Sequence, residues 1–226
     1  MIQTTRFVIS VLLGLTVFRL GAADLSLKTT AKEPPKELAE SIRARLQPSA
    51  IQLFSGEKPV YEIWLASELP VLSKPASVVK ALESVKQATL LGAVVVGDSL
   101  RDYRDDEISP GVYTMRFAFQ PQDGNHLGTS EFTYYAVLVA SKNDTAPDAI
   151  PDYKKLVKAS SKGRSNDHPI ILSLRPSSVE ADDVPKLNEP ASDHKSVQVR
   201  IPGIVAGIGE KVNITFELVY QGTGKK

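Results

Sequence analysis

"GVYTMRFAFQ", residues 111–120, decides the fold. Tyr113, Met115, Phe117 and Phe119 alternate with Val112, Thr114, Arg116, Ala118 and Gln120. Successive side chains of a strand point to opposite faces, so a period of two predicts one buried face and one wet face. On this reading Phe117 belongs to the core and Arg116 to a solvated surface.

The same period returns along the chain. "VNITFELVY" (212–220) alternates Val212, Ile214, Phe216, Leu218 and Tyr220 with Asn213, Thr215, Glu217 and Val219. "SVQVRIP" (196–202) and "PIILSLR" (169–175) repeat it, and "SAIQLF" (49–54) and "VYEIWLA" (60–66) flank the turn "SGEKP". "TLLGAVVVG" (89–97) is a continuous apolar run, which predicts a strand covered on both faces. About eight strands joined by polar, proline-bearing loops predict an all-β fold. The expected form is an antiparallel β-sandwich, immunoglobulin-like or jelly-roll-like, with one or two short peripheral helices. Those helices are expected in "PKELAESIRARL" (35–46), where Leu38, Ile42 and Leu46 share a face, and in 73–87, where Val78, Leu82 and Val85 do. Residues 143–168, with a helical turn at "DYKKLVKAS", and 176–195 are long polar connections.

The N-terminus reads as a targeting signal. Arg6 precedes the twelve apolar residues Phe7–Phe18, and Gly21–Ala23 offer small residues for cleavage, so a signal peptide over 1–23 is expected. The apolar run falls short of the roughly 20 residues that span a bilayer, and no membrane span is expected after cleavage. Removing 1–23 takes away Arg6 and Arg19 and no acid, leaving 25 basic and 26 acidic residues, a formal charge of −1. So even a balance lacks the basic footprint of a nucleic-acid binder. With no cysteine, neither disulfides nor thiolate metal sites form. An exported chain without disulfides points to the bacterial periplasm or the extracellular space. The expected organisation is a leader with a short helix over 24–47, one β-sandwich domain over 48–222 and a polar tail at 223–226.

Local motifs for catalysis are weak. "GIVAGIGEKV" (203–212) lacks the Gly-Lys-Ser/Thr of a phosphate loop and reads as a hairpin turn. The acidic stretch "DSLRDYRDDEIS" (98–109) lacks calcium-loop spacing and reads as a solvated loop. Trp64, the only tryptophan, falls on the Val60/Glu62/Trp64 face of its strand. An exposed indole beside Glu62 would suit stacking on a sugar, whereas a covering helix, 73–87 by position, would bury it. The loop "QPQDGNHLG" (120–128) has a turn reason for each residue except His126. His126 with Asp123 and His194 is the candidate set for a divalent metal. If strands alternate up and down, His126 and His194 share one end and His168 takes the other.

"ISPGVYTMRFAFQPQDGNHLG", "HPIILSLRP" and "ITFELVYQG" together resemble exported proteins of bacterial families of unknown function, planctomycete- or acidobacteria-like. The resemblance spans about residues 50–222 and implies an envelope location, with no site residue to carry over. Three readings follow. The first is a non-catalytic envelope protein that binds or packs against a protein or glycan partner, with no cofactor. The others are a metal-dependent or hydrolytic enzyme at His126, Asp123 and His194, and a carbohydrate-binding module at Trp64 and Glu62.

Overall fold

The computed structural model describes residues 25–102, 106–121, 132–150, 152–164, 167–180, 182–188 and 194–221. Residues 1–24, Asp123 and His126 lie outside them. In chain order the strands are β1 (Leu25–Ala31), β2 (Ser49–Ser55), β3 (Lys58–Leu65), β4 (Leu69–Val71), β5 (Leu90–Val96), β6 (Leu100–Arg101) and β7 (Glu107–Ile108). There follow β8 (Gly111–Phe119), β9 (Tyr134–Ala140), β10 (Ile170–Pro176), β11 (Lys186–Asn188), β12 (Lys195–Val205) and β13 (Lys211–Gln221). Two short α-helices, α1 (Glu40–Arg43) and α2 (Tyr153–Ser161), and a 3₁₀ stretch at Val78–Ser84 complete the main elements.

The fold is mostly β, as the alternation requires. The long strands belong to one large curled sheet, ordered β1-β2-β3-β5-β8-β9-β10-β13-β12-β11. The chain leaving β3 returns as β4 to pair in parallel with the last residues of β12, Gly203↔Leu69 to Val205↔Val71. This joins the two halves of the path. Across the same interior the Tyr61 hydroxyl donates to the Tyr220 carbonyl at 3.2 Å. Alternation reports that a strand has one dry face; it is silent on whether the facing layer is a second sheet or the same sheet curled over.

The interior of the curl is one apolar cluster. It holds Tyr113, Met115, Phe117, Ile214, Phe216 and Leu218, with Phe119 packed at its margin. Phe117 meets Phe119 edge-on at 5.0 Å and stacks on Tyr134 at 6.1 Å. β5 is covered on both faces along nearly its whole length.

The outer face is not uniformly wet. Leu38, Ile42 and Leu46 pack on Trp64, Leu90 and Ala93. The 35–46 segment therefore buries the expected face, although only Glu40–Arg43 is α-helical. A second outer cluster places Leu156 of α2 against Ala118, Tyr135, Val137, Val139 and Ile171. Residues 25–31, read from sequence as leader, are instead the edge strand β1, in register with β2 from Leu25↔Ser55 to Ala31↔Ser49. The turn expected at 203–212 is present, with Gly207 and Gly209 at positive φ where a side chain would be strained.

Candidate functional site

Arg116, expected on a solvated face, has no exposed surface. Its neighbours on the outer face of β8, Thr114 and Ala118, are equally buried. The cover is the connection after β9, which brings Asp144 over the sheet. The Arg116 guanidinium grips both Asp144 carboxylate oxygens at 2.8 Å, and the Thr114 hydroxyl donates to the same carboxylate at 2.5 Å. Side-chain exposure is 0% for Arg116 and 4% for Asp144. A bidentate pair of this kind is geometrically selective as well as strong.

The remaining guanidinium N–H groups reach backbone on both sides. They donate to the carbonyls of Asp148 at 2.7 Å, Ala88 at 3.1 Å and Pro147 at 3.5 Å, and also to Ala146. Ala88 has φ +63°, a left-handed conformation that costs an L-residue about 1–2 kcal/mol. Backbone strain of this sort persists only where the surroundings over-determine it, and such places cluster at binding sites. One buried guanidinium thus ties the 86–90 segment to the 144–148 segment.

Those two segments form walls of a cleft of about 480 Å³. Thr89, Leu90 and Lys86 contribute one side, and Pro147, Asp148 and Ala149 another. The β3–β4 connection and the β12 end add Ala66, Glu68, Pro70, Val71, Leu72 and Ala206, with Arg45 at the rim. The cleft therefore lies where β4 closes the curled sheet against β12. Its charged residues are of both signs, and none belongs to an ion pair among the described residues. The Thr89 hydroxyl is buried and has no hydrogen-bond partner among the described residues. Two of the few exposed large apolar side chains stand at this seam: Leu72, 60% exposed, and Ile208, 70% exposed, in the turn after Ala206.

The sequence-predicted site residues fall elsewhere. Trp64 is 1% exposed and its indole N–H donates to the Lys32 carbonyl at 2.9 Å. An indole sealed under Leu38, Ile42 and Leu46 shows no exposed ring face, which is the covered alternative for Trp64 and leaves sugar stacking without a surface. The cover comes from the 35–46 segment rather than from 73–87. Glu62 is half-buried and paired with Lys32, whose ammonium also sits 5.7 Å over the Trp64 ring.

His194 lies just ahead of β12, while Asp123 and His126 lie outside the described residues. The up-and-down parity used for the histidines is corrected as well. β10 and β12 both pair antiparallel with β13 and so run the same way, because the short β11 adds one reversal. His168 and His194 thus both precede strands of the same direction. Among the described residues no group of three or more His, Asp or Glu side chains is placed to hold a metal.

Sequence reading missed Arg116 and the cleft. The available signal was a lone charge inside the most regular apolar strand, with an Asp in the proline-bearing connection "NDTAPDAIP" (143–151) to answer it. Comparison with protein-family models, with curated proteins and with solved structures gives no match.

Proposed function

We propose that this chain is an exported, non-catalytic β-domain that binds a polypeptide segment of a partner protein in the seam cleft. The observation that carries the reading is the pairing of a pre-set cleft with exposed Leu72 and Ile208 at the same seam. Apolar side chains left in water beside a concave apolar floor are the usual mark of a binding surface. Walls already locked by Arg116 spare a ligand the cost of ordering them, which is how preorganisation raises affinity. Lys86 and Arg45 opposed by Glu68 and Asp148 suit a peptide that carries both charges, and the Thr89 hydroxyl offers it a buried hydrogen bond. Export rests on the N-terminal signal pattern and on the resemblance to exported bacterial proteins. No described helix is long and apolar enough to cross a membrane.

The test is site-specific photocrosslinking of the full chain in its native envelope. A photoreactive residue at Leu72 or Ile208 should give one discrete protein adduct, and Ala206→Asp should abolish it without lowering Tm. No adduct at either position, or the same adduct from a remote control at Lys36, would refute the reading.

A further inference from the structure

A second site lies on the outer face of β10, β13, β12 and β11, independent of the seam cleft. Register places Arg175 opposite Glu217, Glu217 opposite Gln198, and Gln198 opposite Lys186. The four side chains therefore form one row running across four adjacent strands, with neighbouring strands spaced ~4.8 Å apart. Together with Ser177, Ser178, Val179 and Asn188 they line a groove of about 310 Å³.

The row is held from beneath and from one side. Gln198 is 3% exposed and donates to the Ser177 hydroxyl at 2.8 Å, which in turn donates to the Val179 carbonyl at 2.6 Å. Glu217 accepts from the Ser196 hydroxyl at 2.5 Å and from Arg175 at 3.3 Å. Arg175 is further steadied by the Phe132 ring, 5.2 Å away. By contrast, the Lys186 and Asn188 side chains have no partner among the described residues. What the groove still offers a ligand is therefore mainly donors: the Lys186 ammonium, the Asn188 amide, the spare Arg175 N–H groups and the Ser178 hydroxyl.

We infer that this groove binds an acidic oligosaccharide, its carboxylate at Lys186 and its hydroxyl and ring oxygens along Asn188, Ser178 and Arg175. A surface of spaced donors complements a ligand rich in oxygen acceptors. The cationic ends of the row favour a carboxylate over a neutral sugar. A phosphate polymer fits less well, because Glu217 interrupts the cations and the chain's charge is close to balanced.

The test is calorimetric titration of the chain lacking residues 1–23, the form expected after export, with trigalacturonate. Maltotriose and a single-stranded oligonucleotide serve as the neutral and phosphate arms. Trigalacturonate should bind, and maltotriose should bind at least tenfold more weakly. Lys186→Gln should weaken trigalacturonate roughly tenfold or more, the loss of one charge-assisted hydrogen bond. Asn188→Ala should weaken it by a smaller factor, and Lys36→Gln should leave it unchanged. All variants alter side chains with no partner among the described residues, so an unchanged Tm verifies that the fold is intact. The inference is overturned by no binding of trigalacturonate at millimolar concentration, by binding indifferent to Lys186→Gln, or by preference for maltotriose or the oligonucleotide.

Discussion

Arg116→Ala is expected to destabilise the protein by about 3–5 kcal/mol, because removing one member of a buried ion pair leaves the other charge uncompensated. The Asp144 side chain, 4% exposed, would keep only the Thr114 hydroxyl. The carbonyls of Ala88, Ala146 and Asp148 would lose their shared donor as well. Each buried orphan costs ~1–3 kcal/mol, but the 144–148 segment can peel back and admit water, so these costs do not sum. Asp144→Leu strands the guanidinium and should cost a similar amount. The double variant Arg116→Met/Asp144→Leu removes both charges at similar volume, and the cycle should return a coupling energy of ~2–3 kcal/mol. Equilibrium unfolding in urea measures all three. Trp64, the sole tryptophan and 1% exposed, gives a built-in fluorescence reporter. An Arg116→Ala loss below about 1 kcal/mol, or strictly additive variants, would refute the clasp as a buried, coupled pair.

The same melts check three further expectations. Phe117→Ala should cost ~3–5 kcal/mol through lost transfer energy plus a cavity inside the curl; a loss under ~1 kcal/mol would mean that the core is loosely packed there. Gly92→Ala should cost at least ~1–3 kcal/mol, since a Cβ at Gly92 would stand 2.2 Å from the Trp64 carbonyl oxygen; a neutral result would show that β3 and β5 separate freely. Burial, with Tyr220 beside it, pushes the Tyr61 hydroxyl well above its ordinary value of 10.0. The folded state thus holds that proton more tightly than the unfolded chain. Its contribution is complete below pH 10 and is lost as pH climbs from there toward the raised value, at up to ~1.4 kcal/mol per pH unit. Tyr61→Phe should accordingly flatten the decline in stability between pH 10 and 11.5, and equal slopes for the two proteins would dismiss the assignment.

Strands β2, β3, β8, β10, β12 and β13 were legible because each carries its own record of one dry face. Ile214, Phe216 and Leu218 join Tyr113, Met115 and Phe117 in one cluster, as a period of two implies. How the sheet closes was not legible, because closure depends on three residues, Leu69–Val71, too short a run to show any period. The 73–87 segment failed for a related reason. Val78, Leu82 and Val85 suggest a helical face, but only Leu82 and Val85 are fully buried, and the backbone tightens to a 3₁₀ stretch. Helical spacing over so few residues is also satisfied by a turn that touches the core twice.

Three arginines show why the seam cleft was hidden. Arg116, Arg175 and Arg200 each occupy the outer face of a regular strand, and alternation assigns all three to water. It is right for Arg200, partly exposed, and for Arg175, whose side chain keeps 18% of its exposure. It fails for Arg116 because another part of the chain covers it: the segment from Asp144 to Asp148 lies over β8 and supplies a carboxylate and three carbonyls. A strand's own sequence records which residues face outward. Whether outward means solvent is decided by a distant connection, and here that connection also builds one wall of the cleft. On the proposed reading this buried charge is retained because it fixes the geometry of the seam, which would make Arg116 a positioning residue. Arg116→Lys is the discriminating change. Lysine keeps the charge facing Asp144 but lacks the planar fork that reaches both walls. It should therefore retain more stability than Arg116→Ala while reducing Leu72 crosslinking as strongly. Crosslinking that instead followed stability across the two variants would reduce Arg116 to a purely structural role.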